Sequence, residues 1–333
     1  MTIKIYFIEN SFDYNAQNLN DHTIAGSEKT LINITNELSK NKNLLIKIFN
    51  NTTSPKIINN VQWLNHSQIT KDDKPNITIA MSDANLFYKL NGQKNYLWSH
   101  SVQNFEKFIR KKQLFPFIKF KPSMILEGKY HYKTRSFFTS FFGKNILEIA
   151  PDFDFITTKI DINYIPPPNA IFTTRSDRNL KFLIESWIRI KENSQNAKLF
   201  INPPYVLNNL EKENDILIRK KGNKNLLIED LLNTRLFITP GHIGEVYCLA
   251  AEEARELCIP IVTMGLGSLY ERVEHGITGY IANNQSDFIK YSNDILNNDD
   301  IFMNLRNNLI TKKNSRNYMN VKNDLLNLLK IND

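Results

Sequence analysis

The sequence predicts an α/β protein made of two parallel-sheet domains, and three observations carry that expectation. The chain has 333 residues, more than one typical core organises. Short apolar runs alternate with stretches of helical spacing in both halves, as expected of strands joined by crossover helices. Between the halves lies INYIPPPN, whose Pro166, Pro167 and Pro168 suit a stiff, extended connector that neither a helix nor a central strand absorbs.

The elements follow in order. The run Ile3 to Ile8 reads as the first strand, and a helix follows Gly26 with Leu31, Ile34 and Leu38 at helical spacing. Further apolar runs at 44–49, 77–80, 95–98 and 145–149 read as strands, whereas 101–140 fits helix and strand equally well. Residues 151–168 read as the hinge. The second half repeats the alternation more clearly, with strands at 170–174, 197–201, 215–219, 236–239 and 260–263 and helices at 178–190, 225–233 and 246–257. This pattern describes a second Rossmann-like domain, and the tail 299–331 has helical periodicity. The expected division is 1–155, 156–312 and a C-terminal helix at 313–333 that could return to the first domain.

Composition narrows the class. The chain is 41% hydrophobic and 23% charged, ordinary for a soluble globular protein. The opening MTIKIYFIEN lacks the long apolar core and small-residue cleavage site of a signal peptide. No apolar run approaches the roughly 20 residues that span a bilayer. Cys248 and Cys258 fall at apolar positions without metal-ligand spacing, and read as buried thiols in a reducing, cytoplasmic compartment. Charge is uneven: residues 1–150 carry +9, of which 101–150 carry +7, and the remainder carries −1. That asymmetry points to an anionic partner for the first half.

The stretch GHIGEVYCLAAEEARELCIP at 241–260 holds the first chemistry. Gly241 and Gly244, flanking His242 and Ile243, form a turn that leaves backbone amides uncovered before a helix. Such an N-terminus favours an anion. Glu245 and Glu253, eight residues apart, would lie roughly 80° apart and about 12 Å apart along a continuous helix. That spacing suits two contacts to one long ligand, and Glu253 could accept from two vicinal hydroxyls. The alternative is a capped helix face turned to solvent.

This stretch, followed by IPIVT (259–263), GSL (267–269), Glu271 and HGITGYIA (275–282), resembles retaining glycosyltransferase family 4, also called glycosyl transferases group 1. The order and spacing agree over about forty residues of the chain. Cys258 departs from the pattern, which usually has glycine there. The resemblance implies a GT-B fold, with two Rossmann-like parallel-sheet domains facing a central cleft and a helical tail. It also extends to FTTRSDRNLKFLIESW (172–187), where it places Arg175 and Arg178 on the donor diphosphate, roles that suit guanidinium forks. By the same resemblance Glu253 holds the ribose, Glu245 and the 241–244 loop face the donor sugar, His100 after LWS touches that sugar, and Gly26 in TIAGSEK lets backbone approach the donor phosphates or the acceptor.

The implied reaction is transfer of a hexose from a nucleotide diphosphate sugar to a hydroxyl of a glycan or lipid-linked acceptor, with retention, in surface polysaccharide or lipopolysaccharide synthesis. No residue stands out as a covalent nucleophile. Other readings are a non-catalytic glycan- or membrane-binding module, a nucleotide-sugar epimerase, or a phosphorylase, for which no pyridoxal phosphate motif is evident. Asp152-Phe153-Asp154 is a DxD that could hold magnesium or manganese. Under the resemblance no metal or cofactor is required, because arginines and helix amides neutralise the diphosphate. FEKFIRKKQLFPFIKFKPS (105–123) interleaves aromatic and basic residues. It suits an anionic membrane surface at the inner face of the cell membrane, or a core helix and strand with solvated lysines. Nucleic acid is not expected.

Overall fold

The computed structural model describes residues 2–21, 24–220 and 222–331. They form two compact units, 1–150 with 317–333 and 151–316.

Unit 1 is an eight-stranded sheet in the order β3-β4-β2-β1-β5-β6-β7-β8. Its strands are β1 (Ile3–Ile8), β2 (Leu44–Asn50), β3 (Lys56–Ile58), β4 (Val61–Asn65), β5 (Ile77–Met81), β6 (Lys94–Trp98), β7 (Ser123–Leu126) and β8 (Lys144–Ile146). All neighbours are parallel except β3, which pairs antiparallel with β4 at the edge. β1 lies between β2 and β5, with Ile5 opposite Ile46 and Ile77. β5 is buried along its whole length, as a strand covered on both faces must be. Helix α1 (Gly26–Leu38) buries Leu31, Ile34 and Leu38, the helical stripe read from the sequence. The stretch 101–140 resolves into α2 (Phe105–Arg110), α3 (Leu114–Phe120), β7 and α4 (Lys129–Lys133). The last helix, α12 (Tyr318–Leu329), packs on α1, and its Tyr318 hydroxyl lies 3.3 Å from Thr30 Oγ1. Val321, Leu325, Leu326 and Leu329 are buried there, each contributing about 1.5–3 kcal/mol.

Unit 2 is a six-stranded parallel sheet in the order β11-β10-β9-β12-β13-β14. The strands are β9 (Asn169–Phe172), β10 (Lys198–Ile201), β11 (Ile216–Ile218), β12 (Leu236–Ile238), β13 (Ile261–Thr263) and β14 (Gly279–Ile281). Side chains alternate between two cores. Ala170, Phe172, Leu236, Ile238 and Val262 pack with α6 (Leu180–Lys191), α10 (Gln285–Asn297) and α11 (Asp299–Thr311) around Trp187 and Phe288. Ile171, Phe237 and Ile261 point the other way, toward α5 (Phe153–Thr157), α8 (Lys224–Leu232) and α9 (Leu249–Glu256). A short helix, α7 (Asn209–Glu213), precedes β11.

Several sequence expectations need correction. The helix expected at 246–257 begins at Leu249, because Cys248 takes left-handed angles (φ 62°, ψ 69°) and breaks the spiral. Val246 and Tyr247 are buried from a loop, so apolar spacing there reflects packing, not helix. Glu245 therefore lies outside α9, and the helical separation from Glu253 does not apply. The boundary expected at 155 falls inside α5, whose Phe155 is buried in unit 2. The tail is helical as read, with α11 in unit 2 and α12 in unit 1. The strand expected at 145–149 is the short β8, while β3, β4 and β14 went unread. Among the described residues no helix is long and apolar enough to cross a membrane.

Candidate active site

Both sheets reverse strand order at a switch point, between β9 and β12 in unit 2 and between β1 and β5 in unit 1. Loops leaving the carboxyl ends of parallel strands diverge there and open a crevice. The polar clusters described next arise at those edges.

In unit 2, the loop after β9 carries Arg175 and Arg178, and the loop after β12 carries Gly241 to Glu245. Arg178 joins the loops: its Nε lies 3.1 Å from Glu245 Oε2, and its Nη1 lies 2.9 Å from His242 Nδ1. The Gly244 amide also donates to His242 Nδ1, at 2.9 Å. Two donors converge on one ring nitrogen, so Nδ1 accepts and the imidazole proton sits on Nε2. Asn179 Nδ2 donates to the Gly241 carbonyl, a second tie between the loops. Arg178 and Glu245 side chains are only 15% and 19% exposed, which strengthens their attraction over that of a surface pair.

A third loop, after β13, supports the second. Gly241 bridges to Leu266, and the Ser268 amide donates to the Glu245 carbonyl at 2.9 Å. Gly267 has φ +71°, and a Cβ there would meet the His242 carbonyl at 2.3 Å. Only glycine combines that angle with that approach. Beneath the loops, buried Glu252 takes hydrogen bonds from Arg272 at 2.7 Å and Arg255 at 2.9 Å. Arg272 also donates to the Tyr247 carbonyl at 2.9 Å and stacks on the Tyr247 ring. The 245–248 segment is thus held from below by an ion-pair network that the sequence reading did not anticipate. A charged residue beside Glu253 in a run of alanines was its only trace.

Asp177 links this cluster to Arg175, its Oδ1 lying 3.8 Å from Arg178 Nε. Arg175 is largely exposed and pairs with Asp177 at 3.0 Å. It lines a shallow cavity of about 350 Å³ with Thr173, Thr174, Asn202, Pro203 and Pro204. Glu253 is half-buried on α9, and Ile243 projects to solvent at the loop tip. The DxD is spoken for: Lys224 Nζ reaches Asp154 at 2.6 Å and Asp152 at 3.4 Å.

In unit 1, a cavity of about 280 Å³ opens at the β1/β5 switch point. Glu9 follows β1, Ser82 and Asp83 follow β5, His100 follows β6, and Ser27 and Glu28 lie in the first turn of α1; all line it. The His100 ring stacks on Trp98, its amide donates to Ser82 Oγ at 3.1 Å, and its Nδ1 donates to Glu127 Oε1. Burial acts to lower the His100 pKa, but the charge and hydrogen bond of Glu127, with Glu28 and Glu9 beyond, outweigh it and raise the value. The Glu127 amide in turn donates to His131 Nδ1 at 3.2 Å. Burial, as the largest cause, depresses the His131 pKa to about 4, so that ring is a neutral strut.

The carboxylates here were not read from the sequence. Ser11 Oγ lies against Glu9 Oε2 and 2.8 Å from Glu28 Oε1, and Ser27 Oγ donates to Glu28 Oε2 at 2.8 Å. Burial, first of all causes, raises the Glu9 pKa to about 6. Gly26 opens α1 at the surface, close to this cavity's wall but outside its lining. Thr23 of TIAGSEK lies outside the described residues.

Comparison with known proteins follows the same division. Residues 171–316 match the family described as glycosyl transferases group 1. No curated protein matches the chain. Among solved structures, sucrose-phosphate synthase from Thermosynechococcus elongatus superposes with a TM-score of 0.73 at 10% identity, covering 98% of each chain. HepE from Anabaena, in complex with UDP and glucose, gives 0.73 at 11% identity over 98% of this chain and 99% of that one. WaaG, a glycosyltransferase involved in lipopolysaccharide biosynthesis, gives 0.71 at 11% identity with the same coverage. At such identity the likeness establishes the GT-B fold.

Proposed function

We propose, from the premise that this chain is a GT-B glycosyltransferase whose residues 171–316 belong to glycosyl transferases group 1, that it moves a hexose from a nucleotide diphosphate sugar to an acceptor hydroxyl. The observation that carries this reading is the Arg178–His242–Glu245 cluster at the β9/β12 switch point, inside the matched segment. Guanidinium groups fixed before the donor arrives can stabilise charge that develops on a leaving diphosphate without reorganising. Arg178 takes that role, and the exposed Arg175 closes onto the outer phosphate. Glu253 holds the ribose. Glu245 and the 241–244 loop face the sugar.

In the step itself, the bond from the anomeric carbon to the diphosphate oxygen breaks and a bond to the acceptor oxygen forms. The leaving phosphate takes the acceptor proton, so retention needs no covalent nucleophile. The family resemblance gives His100 a contact with the donor sugar, and the unit 1 cavity that His100 lines receives the acceptor. Gly26 lets backbone approach the same ligands. UDP-sugars are the first donors to test, since HepE was solved with UDP and UDP-glucose. No metal is required in this reading, and Lys224 already neutralises the two aspartates of the DxD. Activity that survives EDTA would agree, and loss restored by magnesium would sink this point.

The decisive experiment titrates UDP-, GDP- and ADP-sugars against thermal stability, with Arg178→Ala and Glu253→Ala alongside. A donor at 100 times its dissociation constant stabilises the fold by about 2.7 kcal/mol. Response of the wild type to one donor class, and of neither variant, supports the site. Silence at millimolar donor brings the non-catalytic binding module forward.

Acceptor and location are part of the proposal. Phe105, Ile109, Phe115 and Ile118 in α2 and α3, with Phe137 and Phe141 in the following turn, are all at least half exposed. Lys107, Arg110, Lys111, Lys112, Lys119 and Lys121 share the same segments. Aromatic groups among cations suit an anionic bilayer surface, consistent with a cytoplasmic enzyme at the inner face of the membrane that glycosylates a lipid-linked saccharide of a surface polysaccharide. Sedimentation with anionic vesicles tests this, and absence of binding at low salt would remove the membrane from the account.

A further inference from the structure

We propose that the unit 1 cavity seats a protonated amine on a hydroxyl-rich acceptor, with Glu9 and Glu28 as its counter-ions. This rests on the reading of that cavity as the acceptor's place.

The argument begins with unmet hydrogen bonding. Glu9 is 4% exposed and Tyr14 is 2% exposed, and both line the cavity. Glu9 Oε1 and the Tyr14 hydroxyl are buried and have only each other's weak pull in place of a well-formed hydrogen bond, and His100 Nε2 has no partner. Buried polar atoms are normally satisfied, so a weakly paired carboxylate and phenol and an unmet imidazole nitrogen around one cavity point to a ligand that supplies the missing donors or acceptors.

Charge then selects the donor. Glu9, Glu28 and Asp83 line the cavity, against Lys111, which is exposed, and His100, whose Nδ1 is committed to Glu127. Ser11 Oγ bridges Glu9 and Glu28, yet a hydroxyl has a single proton and cannot donate to both. Beyond that shared proton, Glu9 has the Ser11 amide at 3.2 Å and Glu28 the Ser27 hydroxyl at 2.8 Å, few donors for two carboxylates that can each accept about four. An anionic group such as a phosphate would worsen that deficit, and a plain hydroxyl would add only one more proton. An ammonium brings three donors and a positive charge. A metal ion fits less well: among the described residues no three His, Cys, Asp or Glu side chains are disposed to hold one.

The test is calorimetric titration of the full chain with glucosamine, N-acetylglucosamine, glucose and glucose 6-phosphate. The expected result is that glucosamine binds at least about tenfold more tightly than the other three, the worth of a hydrogen bond to a charged group. Glu9→Gln and Glu28→Gln should each erase the preference while keeping the melting temperature near that of wild type. If Glu9→Gln fails to fold, Glu28→Gln decides alone. Equal affinities, a preference for the phosphate, no binding of any of the four, or a preference that survives Glu28→Gln overturns the proposal. Donor hydrolysis is followed in the same samples. Its absence beside an intact amine preference would count against glycosyl transfer and leave the amine site standing.

Discussion

Unit 2 and unit 1 place polar clusters at the same point of the same kind of sheet, yet the clusters are opposite in design. At the β9/β12 switch point a guanidinium is locked by a carboxylate and an imidazole, on loops tied by glycines and a buried ion-pair network. At the β1/β5 switch point Glu9 and Glu28 share the Ser11 and Ser27 hydroxyls, and His100 Nε2 is left without a partner. The sheet decides where a ligand can sit, and the loops decide what it can be. The first cluster pairs a cation with a carboxylate and an imidazole. The second sets carboxylates against few donors.

The largest effect should come from the support beneath the finished cluster. Arg272→Met leaves Glu252, 3% exposed, with one of its two arginines. Breaking a buried pair in this way costs about 3–5 kcal/mol. Urea melts should show that loss, and hydrogen exchange should quicken at residues 245–248. Unchanged stability would mean that Arg255 alone satisfies Glu252.

Next comes the cluster itself. Arg178→Lys should lower turnover about 10²–10³-fold, the cost of removing one preorganised donor, because an ammonium cannot reach Glu245, His242 and a phosphate together. Arg175→Lys should cost far less, since Arg175 is exposed and its pairing with Asp177 is a surface contact. Equal losses in the two variants would erase the distinction drawn between a locked and a closing arginine.

How much of this was legible in the sequence differs between the units for a physical reason. The unit 2 loops are short, so Gly241, His242 and Glu245 could be singled out from local spacing, and Arg178 from the family resemblance of 172–187. Their register was not legible: the left-handed Cys248 delays α9, which no apolar periodicity could reveal. In unit 1 the cluster is assembled from residues far apart in the chain. Glu9 and Glu28 are brought together only by the return of α1 across the sheet, and Glu127 follows β7, a four-residue strand between short helices. A strand that short, beside a helix containing Pro116, leaves no period to detect. His100 was singled out because the resembling family has a histidine after that strand end; its partner Glu127 matched no such pattern.

A pH titration sharpens the contrast within unit 1, where two buried groups pull in opposite directions. His131 has its pKa depressed to about 4 by burial, whereas an unfolded chain protonates histidine near 6.5. Between those values the unfolded state binds the extra proton, so stability present above pH 6.5 is lost as pH falls through 4, by up to about 3 kcal/mol. Glu9, raised by burial from 4.5 to about 6, does the reverse. Its contribution is full below 4.5 and is lost as pH rises through 6, by about 2 kcal/mol. The wild type should therefore be nearly flat between these two glutamate values. Glu9→Gln should expose the histidine limb, with stability rising steadily from pH 4 to 6.5. Identical slopes for wild type and variant would show that Glu9 does not hold its proton.

The smallest expected effect lies at Cys258, where the chain departs from the glycine usual in the resembling family. It ends α9 with φ 55°, and its thiol is buried. A left-handed angle costs a non-glycine residue about 1–2 kcal/mol, and glycine would recover most of it. The same change removes a buried CH₂ and sulfur worth about 1 kcal/mol and adds backbone freedom to the unfolded chain. These terms nearly cancel, so Cys258→Gly should shift stability by less than about 1 kcal/mol. Cys258→Ala is the informative partner, because it keeps the strained angle and loses the packing; it should be less stable than both wild type and glycine variant. If alanine matched glycine instead, the left-handed turn would carry no strain. The departure from glycine would then be a matter of packing alone.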